Sequence, residues 1–132
     1  MIVVDTNVIA HAVLNSDMNR AIQSVRAKDR DWIAPALWKS EMRNTLLKYI
    51  RIGLMSVEQA SQLMHASRRL LLKRKPASED FDIFALATRS GCTAYDCEFV
   101  ALAITHNVPL LTFDKQVLKA FPSVALSPTD FQ

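Results

Sequence analysis

The stretch Ile2-Val3-Val4-Asp5-Thr6-Asn7 decides how the rest of this chain is read. Three β-branched or aliphatic residues in a row, without polar alternation, suit a parallel strand buried on both faces, and an acid follows at its carboxyl end. The same signature recurs at Pro109-Leu110-Leu111-Thr112-Phe113, again followed by an acid, Asp114. Trp32-Ile33-Ala34 and Val124-Ala125-Leu126 are shorter runs of the same kind. Between them lie helical periodicities. Over Ala36 to Ile50 the apolar residues Trp38, Met42, Leu46, Tyr49 and Ile50 recur at steps of three and four. A second helix is expected from Ser56, which with Gln59 forms a capping signature, to about Lys73. A third runs from Asp80 to Arg89, with Phe81, Phe84, Ala85 and Ala87-Thr88 at helical spacing before Gly91. A fourth, Tyr95 to His106, carries Phe99, Val100, Ala103 and Ile104. Strands alternating with helices predict an α/β fold, a three-layer sandwich with a central parallel sheet flanked by helices.

Composition bounds the answer further. The 132 residues are 50% apolar and 22% charged, with no linker, repeat or low-complexity segment, so one domain over residues 1–132 is expected. The longest wholly apolar run, Phe99 to Ile104, is far below the roughly 20 residues of a membrane span. The N-terminus lacks the basic start of a signal peptide, and Cys92 and Cys97 form neither a metal nor a disulfide pattern; a reducing cytoplasm is the expected compartment. No phosphate-loop, dinucleotide or serine-hydrolase motif occurs.

In parallel sheets ligands bind outside the carboxyl ends of the strands. Asp5 and Asp114 stand there. Asp96, read as opening the helix after Thr93-Ala94-Tyr95, stands there too, and Glu41 lies on the flank of the 36–50 stripe. Singly, each has an ordinary explanation, since Asp is a preferred helix cap and helix surfaces are charged. Jointly, four carboxylates at one crevice would repel one another and titrate high, a cost that a divalent cation removes. All-oxygen donors favour Mg2+ or Mn2+ over zinc. His11, His65 and His106 have no ligand spacing, and Cys97 is expected to be a small core filler.

In order and spacing, Asp5-Thr6-Asn7, Glu41, Tyr95-Asp96 and Leu110-Leu111-Thr112-Phe113-Asp114 resemble the PIN-domain family, in particular its ribonuclease toxins of VapC type. The resemblance spans nearly the whole chain. It implies a metal-dependent endoribonuclease whose acidic quartet is Asp5, Glu41, Asp96 and Asp114, with a homodimer and an inhibitory antitoxin as partners. Some relatives carry a further acid one turn into the Asp96 helix; Phe99 and Val100 are apolar here and Glu98 is expected to face elsewhere, which leaves one or two metal ions open.

Asn7 and Thr112 are candidate donors that fix carboxylate rotamers, and Lys39, Arg43 and Lys115 are candidate phosphate contacts. The densest basic run is Arg68, Arg69, Lys73, Arg74 and Lys75, which suits either a helix C-terminus or RNA. Tyr95 and Phe113 are expected to pack in the core rather than stack on a base. Two alternatives stay open. A phosphotransfer domain of haloacid-dehalogenase type needs a second acid where Asn7 stands, and a non-catalytic RNA- or protein-binding module would use its acids only as caps. Setting the four quartet acids aside leaves nine against 16 basic residues, a clearer polyanion-binding bias than the net +3.

Overall fold

The computed structural model describes residues 1–73 and 78–132, so Arg74 and Lys75 of the basic run lie outside the described residues. Four short strands, β1 (Ile2–Val4), β2 (Trp32–Ile33), β3 (Leu110–Leu111) and β4 (Ala125–Leu126), form one sheet in the order β2-β1-β3-β4. Every pairing is parallel. The chain leaves β1 toward β2 on one side and returns to β3 on the other, so the strand order reverses between β1 and β3. A crevice opens at such a reversal. Val4 pairs with Leu111, and the next step of that register sets Asp5 beside Thr112.

The helices are α1 (Thr6–Val13), α2 (Asn19–Lys28), α3 (Trp38–Arg51), α4 (Val57–Leu70), α5 (Asp80–Ser90), α6 (Ala94–His106) and α7 (Lys115–Ala120), with a 3-10 turn at Pro128–Asp130. Helices α1 to α4 pack on one another, α5 packs on α6, and α6 lies on β1 and β3. The expected sandwich of helices around a parallel sheet is what forms. Trp32, Phe99, Ile2, Ile9, Met42 and Leu102 are among the largest fully buried side chains of its core. In α6 the six residues Cys97 and Phe99 to Ala103 are all buried, as expected of a helix apolar on every side and enclosed by its neighbours. Cys97 is free and buried, the small core filler expected of it, and Cys92 is free and buried as well.

Helix α4 starts where the sequence predicts: Ser56 Oγ accepts the Gln59 N–H and Gln59 Oε1 accepts the Ser56 N–H. It ends at Leu70, short of Lys73, because Leu71 leaves the helix to bridge Trp32 and the Leu72 N–H bonds the Trp32 carbonyl. Three helices, α1, α2 and α7, were not signalled by the periodicity. Each is short, and α2 buries only Ile22 and Val25.

Helix α5 corrects the expected face. Phe81 and Phe84 are 80% and 66% exposed, while Leu86 is buried and Ile83 and Ala87 are half-buried. Two stripes of helical spacing coexist in this segment, and packing on α6 selects the one that carries Leu86. Tyr95 is corrected as well: it is 62% exposed rather than packed in the core. Phe113 does pack, half-buried, with its ring edge-on to His11 at 5.0 Å. No helix of the described residues is long and apolar enough to cross a membrane.

Candidate active site

Asp5, Glu41, Asp96 and Asp114 all line a single crevice of about 370 Å³ outside the carboxyl ends of β1 and β3. Each is placed by local structure. Asp5 caps α1, its Oδ1 accepting the Thr6 N–H at 2.7 Å. Asp114 caps α7, its Oδ1 accepting the N–H groups of Gln116 and Val117. Asp96 does not open α6 as expected. Thr93 is the cap, and Asp96 sits three residues in, where its Oδ2 accepts the Thr93 N–H in a reciprocal capping box. Glu41 projects from the first turn of α3. Four helix N-termini, those of α1, α3, α6 and α7, therefore meet the crevice, and the positive ends of their dipoles offset part of the clustered negative charge. Capping and clustering are compatible uses of the same side chains.

A hydrogen-bond lattice holds the centre. Thr112 Oγ1 donates to Asp5 Oδ2 at 2.7 Å and accepts the Asp114 N–H at 3.0 Å, so one hydroxyl couples the ends of β1 and β3. Asn7 Nδ2 bonds Thr112 Oγ1 at 3.3 Å, with a longer reach of 3.4 Å to Asp5, and Asn7 Oδ1 accepts the Phe113 N–H. Both candidate donors thus reach Asp5. The sequence reading overlooked Thr6, which is 6% exposed and donates from Oγ1 to Glu41 Oε1 at 2.7 Å. Its signal was present in Asp5-Thr6-Asn7: a hydroxyl at the first helical position next to the leading acid.

The electrostatics register the crowding. Burial pushes the Asp5 carboxyl up to about 6, the Thr112 and Thr6 hydrogen bonds pull against it, and the charges of Glu41 and Asp96 add to the rise. Glu41 is also raised, first by burial and then by Asp96 and Glu98, against the pull of its Thr6 bond. Glu98 was expected to face elsewhere, yet it is half-buried and close enough to Glu41 to count among the repelling charges.

Oxygen-only donors suit a hard divalent cation in kind. Glu41 Oε2, Asp96 Oδ1 and Asp114 Oδ2 accept no hydrogen bond among the described residues, so each keeps an oxygen for a ligand. In the arrangement shown, however, no three acidic, histidine or cysteine side chains of the described residues converge as a ready-made metal centre. Asp96 and Asp114 each spend one oxygen on a helix N-terminus.

Lys39, Arg43 and Lys115 are exposed and do not line the crevice. They stand near its acids in sequence, on solvent-facing positions. Arg68 and Arg69 are exposed in the last turn of α4, consistent with a dipole-favoured helix end.

The family model described as PIN domain matches residues 2–123. The chain belongs to the PIN-domain family. The match takes in all four crevice acids, and it removes the haloacid-dehalogenase alternative. Among curated PIN-type relatives, Ribonuclease VapC3 of Pyrobaculum aerophilum is 30% identical over 126 residues, covering 93% of this chain and 96% of that protein. The PIN fold is matched by the crystal structure of PAE2754 from Pyrobaculum aerophilum, with a TM-score of 0.75, 20% identity, and coverage of 94% of this chain and 81% of that one. A toxin-antitoxin complex from Klebsiella pneumoniae matches with a TM-score of 0.68 and 17% identity, covering 99% of this chain and all of that one.

Proposed function

We propose that this PIN domain is a metal-dependent endoribonuclease and the toxin of a toxin–antitoxin pair, hydrolysing RNA phosphodiester bonds at the acidic crevice. The observation that carries the reading is the meeting of Asp5, Glu41, Asp96 and Asp114 in one crevice, with Asp5 and Glu41 raised partly by one another or by their acidic neighbours. The name of Ribonuclease VapC3, a relative matched over 96% of its length, supports it.

Asp5, Asp96 and Asp114 would hold Mg2+ or Mn2+, with Glu41 completing the set. A bound divalent cation supplies an acidified water and offsets charge developing on the phosphoryl oxygens. The chain's own residues do the positioning. Thr112 and Thr6 each donate to one carboxylate, so Asp5 and Glu41 are held in single rotamers. Asn7 braces Thr112 and the Phe113 backbone just beyond β3 at once. Glu41, its carboxyl raised by burial and by the charges of Asp96 and Glu98, keeps a proton more readily than a free glutamate. Lys39, Arg43 and Lys115 would draw the phosphate backbone toward a crevice that by itself repels it.

An antitoxin and a second copy of the chain are the proposed protein partners. The outward Phe81 and Phe84 of α5, and Ile52, Leu54 and Val57 around the start of α4, are apolar side chains that partner surfaces would cover. The cytoplasm is the proposed compartment.

The test is cleavage of structured RNAs with Mg2+ or Mn2+ and mapped product ends. Wild type cuts only with the metal, and Asp5→Asn removes cleavage while RNA binding and fold persist. Cleavage by Asp5→Asn at the wild-type rate would overturn the site assignment. Metal-independent binding without any cleavage would return the chain to a binding module.

A further inference from the structure

The crevice is longer than the acid cluster needs. Beyond Asp5 and Glu41 it continues along one face of α1, through Ala10, His11 and Leu14 to Asn15 and Ser16, and along one face of α3. On α3 the lining residues Glu41, Thr45 and Tyr49 fall at steps of four, so Tyr49 lies about 12 Å down the helix from the acid. This arm carries no carboxylate. No Asp, Glu, Lys or Arg lines it, in contrast to the acidic end, so the arm suits neither a second cation nor a second phosphate.

The arm is built. His11 Nδ1 lies 2.7 Å from Ser16 Oγ, and the ring is braced edge-on against Phe113. Asn19 clamps the turn between α1 and α2 by donating to the carbonyls of His11 and Leu14 and accepting the Ser16 N–H. Ser16 Oγ also accepts the Met18 N–H, and its contact with His11 Nδ1 leaves Nε2 as the ring nitrogen open to a ligand. Among the described residues His11 Nε2, the Asn15 amide and the Tyr49 hydroxyl have no hydrogen-bond partner, and none of them is a buried orphan. Ala10 and Leu14, one turn apart along α1, add apolar lining beside them.

Apolar walls, two aromatic rings and a few unpaired donors and acceptors are what a nucleobase requires. We infer that the α1–α3 arm is a base-recognition subsite that takes one unpaired nucleoside of the RNA beside the scissile phosphate. His11 Nε2, Asn15 and the Tyr49 hydroxyl read its edge. The inference rests on the ribonuclease reading for its substrate and extends it to the determinant of sequence preference. A volume of about 370 Å³ for the whole crevice lies within the roughly 300–1,000 Å³ of small-molecule sites, room for one nucleoside and not for a duplex.

The experiment compares wild type with Asn15→Ala and Tyr49→Phe on a randomised single-stranded RNA, with every product end sequenced. Asn15 is exposed and Tyr49→Phe removes only an oxygen, so both variants fold. Wild type is expected to prefer one base at a position next to the cut. Each variant lowers that preference about tenfold at that position alone, the ordinary worth of one base-edge contact. An unchanged profile in both variants, or a uniform slowing at every site, overturns the subsite and leaves the nuclease intact. A second readout is independent of cleavage: the Asp5→Asn variant titrated with adenosine, cytidine, guanosine and uridine, followed by NMR at Tyr49 and His11. One nucleoside binding several-fold more tightly than the others, with the difference lost on adding Asn15→Ala, supports the subsite even where wild type cuts nothing. Equal or no binding of all four overturns it.

Discussion

Asp5 is pulled in two directions, toward the neutral form by burial and two neighbouring acids, and toward the charged form by the hydroxyl of Thr112 and the N–H of Thr6. The net rise, from 3.8 to about 6, has a definite sign in stability. Below about pH 4 the carboxyl is protonated in both folded and unfolded chains and costs nothing. Between about 4 and 6 the unfolded chain releases its proton first, so stability falls as pH rises, and above 6 the cost is constant at about 3 kcal/mol. Urea unfolding of metal-free Asp5→Asn and wild type should therefore give nearly equal midpoints at pH 4 and a more stable variant at pH 7. Equal midpoints at both pH values would count against the raised carboxyl. Thr112→Val is expected to act oppositely. It strips Asp5 of its short hydrogen bond and leaves the Asp114 N–H and Asn7 amide short of a partner in a fully buried place, a loss of about 1–3 kcal/mol readable as a lower melting temperature.

At the scale of elements, the capping box that begins α6 both starts the helix and aims Asp96. Thr93→Ala should cost about 1 kcal/mol, measured by denaturant unfolding, because one orphan N–H of the first turn loses its acceptor. Elements with long periodic stripes or a capping box, α3, α4 and α6, were legible from sequence to within a few residues. Helix α1 was not, since Thr6-Asn7-Val8-Ile9 continues the β-branched run of β1 and only the Asp5 cap and burial of Val8 and Ile9 turn it helical. Helix α5 shows the converse limit, for its existence was legible and its inward face was not. Phe81→Ser and Phe84→Ser are each expected to change the stability of the monomer by no more than about 0.5 kcal/mol, whereas Leu86→Ala, inside the α5–α6 contact, should cost about 2–5 kcal/mol.

For the whole molecule, the decisive fact is the strand order β2-β1-β3-β4, which sets the ends of β1 and β3 side by side although more than 100 residues separate Asp5 from Asp114. Glu41 and Asp96 reach the same place on α3 and α6. A cation that binds this assembly and not the unfolded chain must raise the melting temperature, by a few degrees at ten or more times its dissociation constant. The shift is expected with Mn2+ or Mg2+ and should vanish in Asp5→Asn. No shift in wild type at millimolar metal would favour acids that serve as caps alone.

Sequence by itself determined the fold class, the four acids and the two donors beside Asp5, because buried parallel strands and helix stripes leave periodic marks and strand-end acids follow them directly. Only tertiary structure decided that Thr93 rather than Asp96 caps α6, that Phe81, Phe84 and Tyr95 face outward, that Thr6 holds Glu41, and that the crevice extends to Tyr49. The physical reason is one of distance along the chain. Caps, turns and stripes are set within about one or two helical turns, whereas which of two stripes is buried, and which side chains share a cavity, depends on elements packed from far away in sequence.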